Sequence, residues 1–246
     1  ALPATNNLAG LSPSFGGALS LPYLFTSADH MVNFRSTDMW GEMSAKLEEE
    51  AGLKVLGQSL VGMRWMINTK KDIDSIDDME GLKLRVAPVP QFLAAYESWG
   101  VPPTPVPWNE VPAALQQGVI DGLDNPPGVL LAFKFYEQGK HMTRLNYNML
   151  SATMIMGKKN FDSQPADIQA AILQAAADAE QWQLRTYRFR ESLTEQALEA
   201  QGVTISDLTD EDVWQEKAQG AWPGLADRSG GQEWVSRLQA AAAAIQ

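Results

Sequence analysis

From Ala166 to Gln201 the chain runs without a single glycine or proline, between Pro165 and Gly202. No other feature narrows the fold as much, because a long stretch free of both breakers propagates as helix. Ile168, Ile172, Ala175, Ala179, Trp182, Thr186, Phe189, Leu193 and Ala197 recur at helical spacing. At roughly 1.5 Å per residue the helix is about 54 Å long, more than one globular domain usually holds. Asp178, Glu180, Arg185, Arg188 and Arg190 exclude a membrane span. Thr186 and the paired alanines make a poor coiled-coil seam. The expectation is one helix running across two lobes.

The rest of the chain alternates short apolar strands with helices, which predicts an α/β class. Ala1–Phe25 is apolar, carries scattered Gly and Pro and has no charged side chain, and reads as loop and short strand. Ser36–Ala51 is helical, with Met39, Met43 and Leu47 on one face and Gly52 as the stop. Leu53–Leu60, Arg64–Asn68, Leu82–Val86 and Met149–Met156 read as strands. Gln91–Trp99 and Glu110–Gln117 read as helices, each followed by a glycine. Val119–Gly122 reads as a short strand and turn, with Asn125 in a turn sequence. Ser75 to Asp78 has the makings of a capped turn, and Asp207–Gln246 divides into two further helices around Pro223 and Gly230-Gly231.

Composition removes several function classes. The net charge of −11 argues against nucleic acid and anionic lipid, both of which need a concentrated basic surface. The chain has no cysteine, so disulfides, thiolate metal sites and cysteine nucleophiles are excluded. Ala1–Leu11 lacks the charged and apolar regions of a signal peptide. His30 and His141 are not at metal-binding spacing, and no nucleophile elbow, dinucleotide fingerprint or phosphate loop occurs. No catalytic residue, metal or cofactor is expected, and paired acids such as Asp77-Asp78 and Asp121/Asp124 read as turn and surface groups.

Two arginines in apolar surroundings carry more information. Arg85 lies in the alternating Leu82–Val86, where it is either an outward residue or an inward charge that needs an anion. Arg64 sits in Val61-Gly-Met-Arg-Trp-Met66. A guanidinium fork matches the two oxygens of a carboxylate, so the pair suits an organic acid. Trp108, stiffened by Pro105-Val-Pro107, either walls a pocket or packs in a core. Asn125 either closes an Asx-turn or offers its amide to a ligand.

Three runs in order then become specific: Gly81-Leu-Lys-Leu-Arg-Val86, Pro103-Thr-Pro-Val-Pro-Trp108-Asn-Glu-Val111, and Ala114-Leu-Gln-Gln-Gly-Val-Ile-Asp-Gly-Leu-Asp-Asn-Pro126. With Leu21-Pro-Tyr-Leu-Phe25 and Phe135-Tyr-Glu137, this series resembles the DctP-type substrate-binding proteins of tripartite ATP-independent periplasmic (TRAP) transporters. The resemblance implies a two-lobe α/β binding protein whose cleft closes on a small organic acid, with a long helix spanning both lobes. It implies residues 1–62 with 151–191 in one lobe and 63–150 with 192–246 in the other.

It also implies site roles. Arg85 forms the salt bridge to the ligand carboxylate, Arg64 adds a second contact, Trp108 covers the site and Asn125 hydrogen-bonds the ligand. Trp65 flanks the site with Trp108, and Asn7, beside Asn6, comes from the first lobe. The implied protein is a periplasmic monomer that is not an enzyme, does not insert in the membrane and hands its ligand to a TRAP permease. A sensor for the same acid, and less readily an enzyme acting on it, are the alternatives. Family members begin with a βαβ segment ahead of the equivalent of Ala1. Here the chain opens near Leu8-Ala-Gly-Leu-Ser-Pro13, so an upstream segment of the natural protein is expected.

Overall fold

The computed structural model describes residues 1–245. After a run of short 3-10 and π turns between Thr5 and Ser20, the chain forms α1 (Ala28–Phe34) and α2 (Asp38–Ala51). Met39, Met43 and Leu47 of α2 face the core, and Gly52 ends the helix in the left-handed conformation, φ 65°. The next elements are β1 (Leu53–Met63), β2 (Trp65–Asn68), β3 (Leu84–Val86), α3 (Pro90–Ser98), β4 (Thr104–Pro105) and α4 (Val111–Gln116). They are followed by β5 (Gly122–Asn125), α5 (Pro127–Ala132), β6 (His141–Thr143), β7 (Met149–Gly157) and α6 (Lys158–Asp162). The long helix is α7 (Ala166–Ala200), and β8 (Thr204–Ser206), α8 (Glu211–Gly220), α9 (Trp222–Leu225) and α10 (Gln232–Ala243) complete the chain.

These strands make two sheets. β1 and β7 form an antiparallel pair, and the other six lie in the order β4-β3-β5-β2-β6-β8. The chain passes between the sheets at two short crossings, Arg64 and Arg144–Asn148, and a third time through α6 and α7, between β7 and β8. The two short crossings are tied to each other, because Arg64 N–H donates to Asn148 O at 3.0 Å and Asn146 N–H donates to Arg64 O at 2.8 Å. One core packs on the β1–β7 side, around Phe15, Phe34, Met43, Leu47 and Leu238. The six-stranded sheet has a core on each face. Met66, Leu84, Val86, Phe92 and Tyr147 fill one, and Trp65, Ile67, Leu123, Leu130 and Met142 fill the other. The two-lobe α/β architecture expected from the sequence is the one observed.

α7 joins both parts, giving Tyr187 to the first core and Leu198 to the last. Its packed face is not the apolar stripe that its sequence spacing suggested, because Trp182, Phe189 and Leu193 point to solvent. The face that packs is partly polar, and it answers the β1 backbone. The β1–β7 register shifts between Val55 and Gly57 and between Leu60 and Gly62. At the first shift Gln58 N–H donates to the Glu180 carboxylate. At the second, Leu60 N–H donates to Gln183 Oε1 at 3.0 Å while Gln183 Nε2 donates to Leu60 O. Buried backbone groups need such partners wherever a ladder skips.

Several segments differ from expectation. Ala1–Ala4 runs along β7, with Thr153 N–H donating to Pro3 O and Ile155 N–H to Ala1 O, and the stretch after it coils into short helical turns. The strand read at Val119–Gly122 lies later, at Gly122–Asn125, so Asn125 is in a strand and not a turn. From Trp222 onward the chain packs on the first core through Trp222, Leu225, Trp234, Val235 and Leu238, whereas Trp214 and Ala218 pack on the six-stranded sheet. Gln246, the last residue of the 192–246 span, lies outside the described residues.

Candidate functional site

A cavity of about 750 Å³ opens where the two sheets meet. Asn6, Asn7 and Leu150 reach it from the β1–β7 side, and Arg64, Arg85, Trp108, Asn125 and Phe133 reach it from the six-stranded side. The cavity thus gathers Arg64, Arg85, Trp108, Asn125 and Asn7 of the sequence-derived residues. Trp65 is elsewhere. It pairs with Asn125 between β2 and β5, but its ring packs in the core with Ile67, Leu123 and Met142, with the Arg144 guanidinium 4.9 Å from its ring centre.

β3 positions Arg85. Leu84 and Val86 are buried in the core on one face, and alternation turns Arg85 to the other, where it is only 2% exposed. The outward reading is therefore excluded. Its Nε donates to Val106 O at 2.9 Å, and its guanidinium lies 5.7 Å from the Trp108 ring centre. That single hydrogen bond is the one the described residues give it, so its terminal nitrogens are free to donate. Burial lowers its pKa from the ordinary value and the Arg64 charge adds to the lowering, while Asp124 partly offsets both. An arginine remains charged under such a shift.

Arg64 is held differently. Its Nη1 donates to Asp124 Oδ2 at 2.9 Å and to Asp124 O at 3.1 Å, and Tyr147 Oη donates to the same Oδ2 at 2.7 Å. Its guanidinium sits 4.7 Å from the Phe92 ring centre. Burial is the largest single influence and opposes the Arg64 charge, but Asp124, Tyr147 and Tyr96 together outweigh it and hold the pKa above its ordinary value. Burial, with Asp124 second, pushes the Tyr96 and Tyr147 hydroxyls well above the usual phenol range, so both stay protonated donors.

The remaining wall is apolar or neutral. Trp108, Phe133 and Phe135 form an aromatic cluster, with the Trp108 and Phe133 centres 5.0 Å apart at 79°. Pro88, Pro90 and Pro107 line the cavity and have no N–H to offer an anion. Asn6 Nδ2 donates to Asn7 Oδ1 at 3.2 Å, while Asn6 Oδ1 is buried with no partner. Sequence reasoning missed Phe133, Asp124 and Tyr147. The sequence groups Asp124 with Asp121 as a turn or surface acid. Neither acid is a turn or surface group: Asp121 is buried and accepts from the distant Lys83 N–H at 3.0 Å, and Asp124 is fully buried against Arg64. Phe133 lies two residues before the Phe135-Tyr-Glu137 element. Nothing in the sequence marked Tyr147.

Chemically, the cavity offers one free guanidinium, a second that is already paired, neutral amides and an aromatic wall. It can hold a small anion with polar substituents. Residues 1–228 match the family model described as bacterial extracellular solute-binding protein, family 7. A solute-binding protein of Sulfitobacter sp. (strain NAS-14.1) is 31% identical over 72% of this chain and 53% of its own. The 2,3-diketo-L-gulonate-binding periplasmic protein YiaO of Escherichia coli (strain K12) is 30% identical over 74% of this chain and 55% of its own. The chain thus spans about half the length of the curated relatives it matches. Among solved structures, a TRAP periplasmic solute binding protein from Rhodobacter sphaeroides, apo and open, is similar with a TM-score of 0.88 and 30% identity. That match covers 100% of this chain and 79% of the other. Another, from Sulfitobacter sp. with bound α-D-taluronate, has a TM-score of 0.86 and 26% identity over 96% of this chain and 77% of its own.

Proposed function

The chain belongs to the bacterial extracellular solute-binding protein family 7, and from that membership we propose that it is a periplasmic receptor for a small hydroxylated organic acid. It captures the acid between its lobes, acts as a monomer without catalysis, and delivers the acid to a TRAP membrane permease. In this reading residues 1–62 and 151–191 make one lobe and 63–150 with 192–221 the other, and the segment from Trp222 onward is assigned to the first lobe because it packs on that core.

The observation that carries this reading is Arg85. A buried guanidinium whose terminal nitrogens lack a protein partner, at the wall of a cavity, is costly unless an anion completes it. Trp108 lies against it, and Asn125, Asn6 and Asn7 supply neutral groups for hydroxyls. Arg64 contributes from the floor, behind its contact with Asp124. The names of two relatives point the same way, since taluronate and 2,3-diketo-L-gulonate are both hydroxylated carboxylates.

The test begins with native mass spectrometry of the purified protein to find retained acid. Calorimetric titration of stripped protein with hexuronates and 2,3-diketo-L-gulonate follows. Arg85→Ala is expected to weaken binding by about 30- to several-thousand-fold, because it leaves a desolvated carboxylate without its partner. Arg85→Lys is also weak, since an ammonium lacks the fork. Arg188→Ala, on the exposed side of α7, binds like wild type. Binding of Arg85→Ala within about threefold of wild type ends the assignment.

A further inference from the structure

Arg64 and Arg85 are the only charged residues that line the cavity among the described residues, yet they do not offer two charges. Arg64 is 3% exposed and is paired with an Asp124 side chain that is wholly buried. The pair is neutral as a unit, so the net charge facing a ligand is that of Arg85 alone. Extending the receptor reading above, we propose that Asp124 fixes the charge this cavity accepts at one, so that it selects monocarboxylates over dicarboxylates of the same carbon skeleton.

The argument is electrostatic and geometric. One carboxylate takes the free side of the Arg85 fork. A second carboxylate on the same small molecule finds no other unpaired cation. The rest of the wall presents Trp108, Phe133, Val129, Val89 and Leu150, and prolines without N–H groups. Leaving water for such a wall is unfavourable for a charge. Arg64 does not rescue it. Its Nη1 is committed twice to Asp124; its buried Nε has no partner and its Nη2 makes no hydrogen bond among the described residues, but any anion that reaches them also approaches the Asp124 carboxylate, a like-charge juxtaposition. Hydroxyl groups fare better, because Asn125 and the orphaned Asn6 Oδ1 are neutral partners for them. The cavity therefore fits an acid with one charged end and a hydroxylated body. Selectivity here comes mainly from the element that repels the wrong ligand.

The experiment titrates two pairs of probes into stripped protein, D-glucuronate against D-glucarate and D-galacturonate against galactarate. Within each pair the carbon skeleton is constant, but the uronate is a cyclic hemiacetal and the aldarate is open-chain, so D-gluconate and D-galactonate, open-chain acids with one carboxylate, are titrated beside them and are expected to share the advantage over the aldarate. Wild type is expected to bind the uronate at least about tenfold more tightly than the aldarate. Asp124→Asn releases the Arg64 charge, and the aldarate then gains on the uronate by about tenfold. The double variant Arg64→Gln/Asp124→Asn restores a single net charge and with it the preference of wild type. It also stands in if Asp124→Asn alone does not fold, since it leaves no unpaired buried ion. Equal binding of uronate and aldarate by wild type overturns the inference while leaving the receptor reading intact. So does a double variant that prefers the aldarate. Failure of every carboxylate to bind, in this panel and in the retained-ligand search, overturns the receptor reading and this inference with it.

Discussion

At the scale of single residues, the same residue type does opposite things depending on what stands beside it. Arg64 and Arg85 look interchangeable in the sequence, each a cation among apolar neighbours. One is tied to Asp124 and the other is left open at a cavity wall. The difference lies in a partner 60 positions away in the chain, which a local reading cannot supply. Trp65 and Trp108 are a similar pair. The sequence places both beside the ligand, but Trp65 packs in the core with Ile67 and Leu123, against the Arg144 guanidinium and outside the cavity lining, whereas Trp108 lies against Arg85. Tryptophan over a desolvated guanidinium is worth about 0.5–2 kcal/mol, so Trp108→Ala is expected to weaken acid binding by roughly 2- to 30-fold. Trp65→Phe leaves affinity unchanged. Ligand-induced change in tryptophan fluorescence should follow the same division, lost in Trp108→Phe and kept in Trp65→Phe. Calorimetry and fluorescence on these variants check both statements, and a spectral change that survives Trp108→Phe would place the reporting indole elsewhere.

At the scale of elements, periodicity and punctuation were legible, and long-range compensation was not. Breaker-free sequence located α7, and Gly52 and Gly202 closed their helices as left-handed residues, with φ of 65° and 76°. The sequence places the strand too early, at Val119–Gly122 instead of Gly122–Asn125, because Asp121-Gly122 is also a turn signal. Its glycine is there for space, since a Cβ on Gly122 would lie 2.5 Å from Ile67 O of the neighbouring strand. The outward turn of Trp182 and Phe189 was not legible either. It depends on Glu180 and Gln183 binding the backbone of β1, which no moment along α7 encodes. One capped turn was legible and is testable. The Asp78 carboxylate accepts from Ser75 N–H at 2.9 Å, Ser75 Oγ at 2.8 Å and Asp74 N–H at 3.2 Å. The Ser75 hydroxyl and the backbone amides hold its pKa below the ordinary value. A carboxyl depressed on folding contributes stability that is present above its unfolded pKa, about 3.9, and is lost as pH falls through the lower folded value. Asp78→Asn should therefore cost about 0.5–1 kcal/mol near neutral pH. The gap to wild type should close as pH falls through the folded value, below the unfolded pKa. Urea unfolding at several pH values measures this, and a gap independent of pH would mean that the charge of Asp78 contributes nothing.

At the scale of the whole molecule, the cavity belongs to neither lobe alone. Asn6, Asn7 and Leu150 stand on the β1–β7 side and Arg85, Trp108 and Asn125 on the six-stranded side. The two sides are linked by the crossings at Arg64 and Arg144–Asn148 and by α7, which feeds both cores. A ligand that touches both walls adds bonds across this junction, so binding free energy becomes stability of the joined state. At a free ligand concentration of about 100 times Kd the gain is about 2.7 kcal/mol. A chain of 246 residues responds by roughly 2–4 °C per kcal/mol, which predicts a rise in Tm of roughly 5–10 °C. Closure of the lobes should accompany it as a smaller radius of gyration in solution scattering. Arg85→Ala, compared at the same acid concentration, should show neither change, because the carboxylate anchor fails before the second wall is engaged. A calorimetrically proven ligand that raises Tm without contracting the molecule would mean that it is held by one lobe only. Asn6 and Asn7 would then have no part in binding.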